Sequence, residues 1–175
     1  MLMTDPARLP DPLGAVRRLP PGSAVVFRAF GAADAVAQGR QLAQAARRRG
    51  VVLLAGADPA LAMAIGAGGV HLPERLAHRA RTLRRTHPRW LITVAAHGQA
   101  AVRRARRFGA DAVVVSPVFE SRSASAGRPL GLIRFVALAN GAGTPVYALG
   151  GMNAATARRL MGSGAIGIAA VEGLA

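Results

Sequence analysis

Short apolar runs alternate with longer Ala/Arg-rich stretches along the whole chain of 175 residues. Three of these runs, VVLLA, AVVVS and VYALG, are apolar at consecutive positions rather than at every second one. This pattern is typical of strands that are covered on both faces, as in a parallel sheet packed against helices. Eight such strands with seven intervening helices predict a (β/α)8 TIM barrel of the α/β class, with a doubly wound open sheet as the alternative architecture.

The predicted elements follow each other without a linker, so residues 1–175 are expected to form a single domain. The predicted strands are Leu2–Thr4, Ala24–Arg28, Val51–Ala55, Gly69–Leu72, Trp90–Ala95, Ala112–Ser116, Pro145–Leu149 and Ile166–Ala169. The predicted helices lie near residues 13–18, 33–49, 59–66, 75–86, 98–108, 130–140 and 153–162. Only VEGLA follows the last strand, so we expect a truncated last helix. The uncovered flank would expose apolar surface and favour a homo-oligomer.

The composition limits the classes of function. All 23 Lys and Arg residues are arginine, and the formal net charge is +15. The arginines fall on predicted amphipathic helices, where they form solvated faces, and only 4% of the residues are aromatic. Nucleic acid is therefore the least favoured partner, because stacking platforms are scarce. The lack of lysine excludes a lysine Schiff base, and the lack of cysteine excludes disulfides and thiolate metal sites.

Targeting and membrane signals are missing from the sequence. No apolar stretch approaches the roughly 20 residues needed to span a bilayer. The first residues, MLMTDPARLPDP, lack the basic start and the apolar segment of a signal peptide. We therefore expect a cytoplasmic, soluble protein that has no membrane partner.

The barrel architecture predicts where functional residues lie, because the carboxyl ends of all eight strands meet at one face. The residues that follow the predicted strands are Thr4, Asp5, Arg28, Asp58, His71, Glu74, His97, Ser116, Ser121, Ser123, Gly150, Gly151 and residues 169–172.

Four segments identify a family resemblance. LMTD, GAGGVHLPE, GADAVVVSPVFESRS and VYALGGMNAATARRLMGSGAIGIAAVEGL occur in the order and spacing of the thiamine phosphate synthase/TenI family, which the chain resembles over nearly its whole length. The resemblance implies a TIM barrel that handles a phosphorylated thiazole. It also implies that backbone amides at Gly150, Gly151, Ala169 and Ala170 bind the phosphate, which suits Gly-rich turns. A tight turn alone is the other explanation for the two glycines. A carboxylate at Glu172 would repel the phosphate.

The resemblance also implies a synthase reaction, which joins hydroxymethylpyrimidine diphosphate to thiazole phosphate and needs Mg²⁺ and cations to stabilise the leaving pyrophosphate. At the places of the metal-binding Asn and Asp residues this chain has Gly56, Ala57 and Leu76. No Mg²⁺ cofactor is therefore expected unless Asp58 and Glu74 rebuild the site. The family's pattern thus predicts that the metal and pyrophosphate residues are largely lost and that synthase activity is impaired.

The family resemblance also assigns roles to several other polar residues. By resemblance, Arg28, Ser121 and Ser123 bind the substrate, whereas Phe30 and Ala124 stand where the family has lysines. His97 matches the histidine that the TenI branch uses for thiazole tautomerisation, and imidazole suits a general acid/base. The alternatives are therefore a TenI-like tautomerase that uses His97, a non-catalytic thiazole-phosphate binder, and a histidine that only caps or packs.

Overall fold

The eight strands of the chain form one parallel sheet in the order β1 to β8, in a computed structural model that describes residues 1–121, 123 and 127–174. The sheet closes on itself. The Met3 amide donates to the Ala170 carbonyl at 2.8 Å, and the Ala170 amide donates to the Met1 carbonyl at 3.1 Å. The predicted (β/α)8 barrel is therefore confirmed, and the open sheet is wrong. Ala124, at a place where the family has a lysine, lies outside the described residues.

Strands and helices alternate strictly. The strands are β1 (Leu2–Met3), β2 (Ala24–Phe27), β3 (Val52–Gly56), β4 (Gly69–Leu72), β5 (Leu91–Ala96), β6 (Ala112–Val115), β7 (Val146–Leu149) and β8 (Gly167–Ala169). The α-helices are α1 (Pro12–Arg18), α2 (Ala35–Arg49), α3 (Pro59–Ile65), α4 (Arg79–Thr86), α5 (Gln99–Arg107), α6 (Leu132–Asn140) and α7 (Ala154–Arg158).

The helix prediction needs two corrections. The fourth predicted helix is divided, because a 3₁₀ turn at Glu74–Leu76 precedes α4. The seventh ends at Arg158 rather than near 162, and turns lead from there to β8. Within the described residues no helix follows β8, and none of the helices is long and apolar enough to cross a membrane.

Helix caps fix where the chain turns at the carboxyl ends of the strands. Asp58 ends the β3 loop, and its side chain accepts a hydrogen bond from the Leu61 amide, which starts α3. Asn153 caps α7 through a reciprocal capping box with Thr156. At the opposite face, Asp111 accepts from the Ile92 amide at 2.7 Å. Polar side chains thus hold both ends of a barrel whose wall is largely apolar.

Candidate active site

A cavity of about 680 Å³ opens at the carboxyl ends of the strands. We call it the mouth cavity. Arg8 after β1, Arg28 after β2, His97 after β5 and residues 169–173 at the end of β8 line it. The lining also includes Ser116, Pro117, Phe119, Glu120, Ser121 and Ser123 after β6, and residues 149–153, Thr156 and Arg159 around the β7 loop. All the residues singled out for catalysis or substrate binding line it, namely Arg28, His97, Ser121, Ser123, Gly150, Gly151, Ala169 and Ala170. The tertiary structure therefore brings the proposed site residues to one place.

Gly150 and Gly151 have left-handed backbone conformations, with φ of 100° and 66°. A Cβ atom on Gly150 would lie 2.8 Å from the Pro117 Cα, and one on Gly151 would lie 2.3 Å from the Glu120 carbonyl oxygen. Packing of the β6 loop against the β7 loop therefore requires glycine at both positions. Within the described chain, the amides of both glycines donate no hydrogen bond, so they remain available to an anion.

The end of β8 differs from the prediction in one respect. Ala169 pairs with Leu149 in the sheet, and Ala170 uses its amide to close the barrel through the Met1 carbonyl. The Ala170 amide is thus engaged and is not available to a phosphate in this structure. The next amide, that of Val171, donates to no group among the described residues. Sequence matching alone could not separate these neighbours, because barrel closure decides which amide is used.

Three arginines among the described residues line the mouth cavity, and two of them, Arg8 and Arg159, were not predicted. The Arg159 guanidinium lies 4.8 Å from the centre of the Phe119 ring, at the distance of a cation–π contact. Arg159 directly follows α7, and only the turn of that helix brings it back to the strand ends. Its distance of six positions from the cap residue Asn153 is about 1.7 helical turns, so the helical period gave no signal for this placement.

Arg28 is held in place from β1. Its Nε donates to the Thr4 carbonyl at 2.6 Å, and its second terminal nitrogen donates to Asp5 Oδ2 at 3.2 Å. Burial lowers the pKa of the Arg28 guanidinium from its ordinary value, and the Asp5 carboxylate opposes that shift. Arg28 therefore presents a fixed positive charge that is already compensated by Asp5.

Glu172 also lines the cavity, as expected from its place after β8. Its Oε1 accepts a hydrogen bond from Arg8 Nε at 2.9 Å, so the negative charge has an internal counter-ion. The side chain of Glu172 is 42% exposed. The repulsion predicted from the sequence is therefore reduced by Arg8, a residue that lies 164 positions away in the chain.

His97 is exposed at the end of β5, and its ring has a defined hydrogen bond. Nδ1 lies 2.8 Å from the Ser116 carbonyl oxygen. Because a carbonyl only accepts, Nδ1 carries the proton in the neutral ring and Nε2 keeps a lone pair. The His97 amide donates to Glu74 Oε2 at 3.0 Å, and Arg104 donates to Glu74 Oε1 at 2.5 Å. These contacts fix both the tautomer and the backbone of His97.

The carboxylates that could have rebuilt a Mg²⁺ site have other partners. Asp58 Oδ1 accepts from the Leu61 amide at 2.9 Å, and both oxygens of Glu74 bind Arg104 and the His97 amide. Neither residue lines the mouth cavity. In residues 1–121, 123 and 127–174, no three His, Cys, Asp or Glu side chains are grouped so that they could hold a metal ion. The residues present therefore do not fit Mg²⁺ in the way the family pattern implies.

His71 lies below the cavity, in the barrel wall. Its Nδ1 is 2.9 Å from Thr93 Oγ1, and both side chains are buried. Burial, and secondly the charge of Arg28, lower the pKa of the His71 imidazole to about 4. His71 is therefore neutral near pH 7 and ties β4 to β5.

Comparison with known proteins gives consistent matches. A family model described as thiamine monophosphate synthase matches residues 15–174. The chain is 35% identical over 138 residues to the thiamine-phosphate synthase of Chloroflexus aurantiacus, covering 75% of this chain and 61% of that protein. It is 32% identical over 139 residues to the thiamine-phosphate synthase of Geobacillus thermodenitrificans, covering 78% and 62% respectively. The chain thus spans less than two thirds of the length of these relatives.

A solved structure supports the fold. The thiamine phosphate pyrophosphorylase of Pyrococcus furiosus superposes with a TM-score of 0.84 at 24% identity, over 97% of this chain and 83% of that one.

Proposed function

This chain belongs to the thiamine monophosphate synthase family, and we propose that it acts in thiamine biosynthesis by binding a phosphorylated thiazole in the mouth cavity and moving a proton on the bound ring. The observation that carries the proposal is the contact of 2.8 Å between His97 Nδ1 and the Ser116 carbonyl oxygen. It leaves the basic Nε2 of His97 for the ligand, in a cavity that also contains glycine amides and arginines.

The phosphate group of the ligand is proposed to lie against the amides of Gly150 and Gly151. These amides have no other acceptor in the described part of the chain, and oriented amides favour an anion without a lysine. Arg159 adds positive charge from the end of α7, and the hydroxyl of Ser121 adds a donor from the β6 loop. A cavity of about 680 Å³ is within the usual range for small-molecule sites.

The proton transfer needs only groups that the cavity contains. Nε2 of His97 takes a proton from a ring carbon of a non-aromatic thiazole tautomer, and the electron pair of that C–H bond shifts the double bonds of the ligand. The resulting imidazolium then returns the proton to the carbon at the other end of the shifted double bonds. Apart from the shift of double bonds, only bonds to hydrogen are broken and formed, so no group leaves the ligand and the transfer does not require a metal. A positioned general acid/base of this kind contributes about 10²- to 10⁴-fold to the rate.

The second candidate is the condensation reaction that the names of the relatives indicate. The three arginines of the mouth cavity favour it, since they could stabilise part of the charge of a leaving pyrophosphate. The engagement of Asp58 and Glu74 with Leu61, Arg104 and His97 opposes it. We therefore rank proton transfer first.

One set of assays distinguishes the candidates. The protein is incubated with thiazole phosphate in D₂O, and proton NMR follows exchange at the ring, with and without a chelator. In parallel, thiazole phosphate and hydroxymethylpyrimidine diphosphate are supplied with and without Mg²⁺. Chelator-resistant exchange supports the proposal, and Mg²⁺-dependent formation of thiamine phosphate supports the condensation instead. Calorimetric binding without either reaction indicates a non-catalytic thiazole-phosphate binder.

A further inference from the structure

The rim of the mouth cavity contains an ion pair between the two ends of the chain. Arg8 follows β1, Glu172 follows β8, and Arg8 Nε donates to Glu172 Oε1 at 2.9 Å. Both residues line the cavity, and 28% of the Arg8 side chain is exposed. The pair is therefore within reach of a ligand and of water.

The pair lies beside the amides to which the phosphate is proposed to bind. The register of the sheet pairs Leu149 with Ala169, so the loops after β7 and β8 leave the barrel side by side. Gly150 and Gly151 begin one loop, and Glu172 lies three residues beyond Ala169 in the other. A carboxylate thus occupies the same corner of the cavity as amides that suit an anion.

Arg8 differs from the other two arginines of the cavity in its partner. Arg28 is bound to Asp5 and the Thr4 carbonyl, outside the cavity lining, and Arg159 packs on a ring. Of these three arginines, only Arg8 is paired with a carboxylate that also lines the mouth cavity, that of Glu172. A ligand phosphate that enters this corner meets Glu172 as a like charge and Arg8 as an engaged donor.

We infer that Glu172 is a specificity residue that competes with the ligand phosphate for Arg8. When the ligand binds, a phosphate oxygen replaces the Glu172 carboxylate as the acceptor of the Arg8 guanidinium. A guanidinium donates well to carboxylates and to phosphates. A partly exposed ion pair contributes little to stability, so the exchange is feasible. This inference deepens the proposed function and rests on it, since it assigns how the same cavity selects its phosphorylated ligand.

The competition predicts a preference among phosphorylated ligands. Repulsion by the Glu172 carboxylate increases with the charge of the ligand, so it disfavours a diphosphate more than a single phosphate group. The loss of Glu172 should therefore improve the affinity for pyrophosphate more than the affinity for inorganic phosphate. Selection for a singly phosphorylated ligand would then be a property of this carboxylate.

Calorimetry at one fixed salt concentration tests the inference with inorganic phosphate, pyrophosphate and thiazole phosphate. Glu172→Gln should bind thiazole phosphate about tenfold more tightly than the unmodified protein, because a charge-assisted donor becomes available. Glu120→Gln is the matched control, since Glu120 lines the same cavity without the contact to Arg8, and it should gain about twofold at most from the lost charge. Equal gains in the two variants would overturn the inference.

Arg8→Gln tests the exchange itself. It should weaken phosphate binding about twofold in the unmodified protein but about tenfold in the Glu172→Gln protein, because in the unmodified protein the contact of Arg8 with the ligand only replaces its ion pair with Glu172. Equal losses in the two backgrounds mean that the charges act independently and overturn the exchange. Equal gains for phosphate and pyrophosphate in Glu172→Gln overturn the preference.

The outcomes separate this inference from the proposed function. If the unmodified protein catalyses ring exchange but Glu172→Gln leaves every affinity unchanged, the inference fails and the proposed function stands. If Glu172→Gln gains affinity in the predicted order but no variant catalyses exchange, the proposed catalysis fails and the inference stands. If no variant binds any of the three ligands, both are wrong.

Discussion

Two sides of the barrel mouth differ in what their polar residues do. The side after β6, β7 and β8 contributes glycine amides, hydroxyls and an arginine to one cavity. The side after β3 and β4 has polar residues at comparable places, but they bind the protein itself. Asp58 caps α3, and Glu74 joins the 3₁₀ turn to α5 through Arg104. The first side therefore lines the mouth cavity, whereas Asp58 and Glu74 do not.

This difference indicates that binding a phosphate and stabilising a leaving diphosphate depend on different parts of the protein. Backbone amides survive substitution of side chains, because every residue has one and the loop geometry places it. A metal site depends on particular carboxylates, and at the two places where the family resemblance implies aspartates this chain has Ala57 and Leu76. The same fold can therefore bind a phosphate through its backbone without the carboxylates of a metal site.

The largest effect is expected from replacing His97, which lines the mouth cavity. His97→Ala should lower the rate of ring exchange about 10²-fold or more while ligand affinity changes by less than about threefold, because a general acid/base acts mainly in the transition state. Exchange rates by NMR and affinities by calorimetry measure the two effects. His78→Ala is the control, since that exposed histidine lies outside the mouth cavity. An undiminished rate in His97→Ala would contradict the assignment.

The glycine amides are tested by Gly151→Ala. The new Cβ would lie 2.3 Å from the Glu120 carbonyl oxygen at φ of 66°, so we expect a loss of about 2 to 4 kcal/mol in unfolding free energy, together with weaker phosphate binding. Gly162→Ala is the control, with φ of 73° and no atom within 4 Å, and should lose only about 1 kcal/mol. Denaturant unfolding measures both. Similar losses would show that loop packing does not require Gly151.

The barrel wall below the mouth should respond to pH through His71. Its folded-state pKa of about 4 lies below the ordinary value of 6.5, so the unfolded chain binds the proton more readily. The contribution of neutral His71 to the free energy of unfolding should be complete above about pH 6.5. It should fall by about 2 to 3 kcal/mol between pH 7 and pH 4.5. Urea unfolding at the two pH values measures this loss. In His71→Gln the part of the pH dependence due to this residue should vanish, and an unchanged dependence would contradict its assignment to His71.

The smallest effect is expected on the opposite side of the mouth. Asp58→Ala should lose about 1 kcal/mol of stability, as should Asp11→Ala, because each removes a helix cap. Neither change should alter thiazole-phosphate binding or its response to Mg²⁺, as measured by calorimetry. A Mg²⁺ response that changes in Asp58→Ala but not in Asp11→Ala would show that Asp58 takes part in a metal site and would remove the contrast between the two sides.

Much of this arrangement could be predicted from the sequence. Consecutive apolar residues indicated buried parallel strands, and the rule for strand ends brought His97, Arg28 and Gly150 to one face. Ala57 and Leu76, at the places where the family resemblance implies aspartates, were visible in the sequence. Element boundaries were less certain, since the divided fourth helix at Glu74–Leu76 has no strong signal of its own.

The partners of these residues could not be predicted in the same way. The pairing of Arg8 with Glu172 joins residues that are 164 positions apart and depends on the closure of β8 onto β1. The same closure engages the Ala170 amide. The proton position on His97 depends on the carbonyl of Ser116, in the next strand's loop.

The sequence by itself determined the alternation of strands and helices, the family and the types of residue at the strand ends, because these follow from local patterns and from order along the chain. Only the tertiary structure decided which amides stay available, which carboxylates are engaged and which arginines reach the mouth cavity. The physical reason is that hydrogen bonds and ion pairs depend on ångström distances between distant segments, and these distances are fixed when the barrel closes.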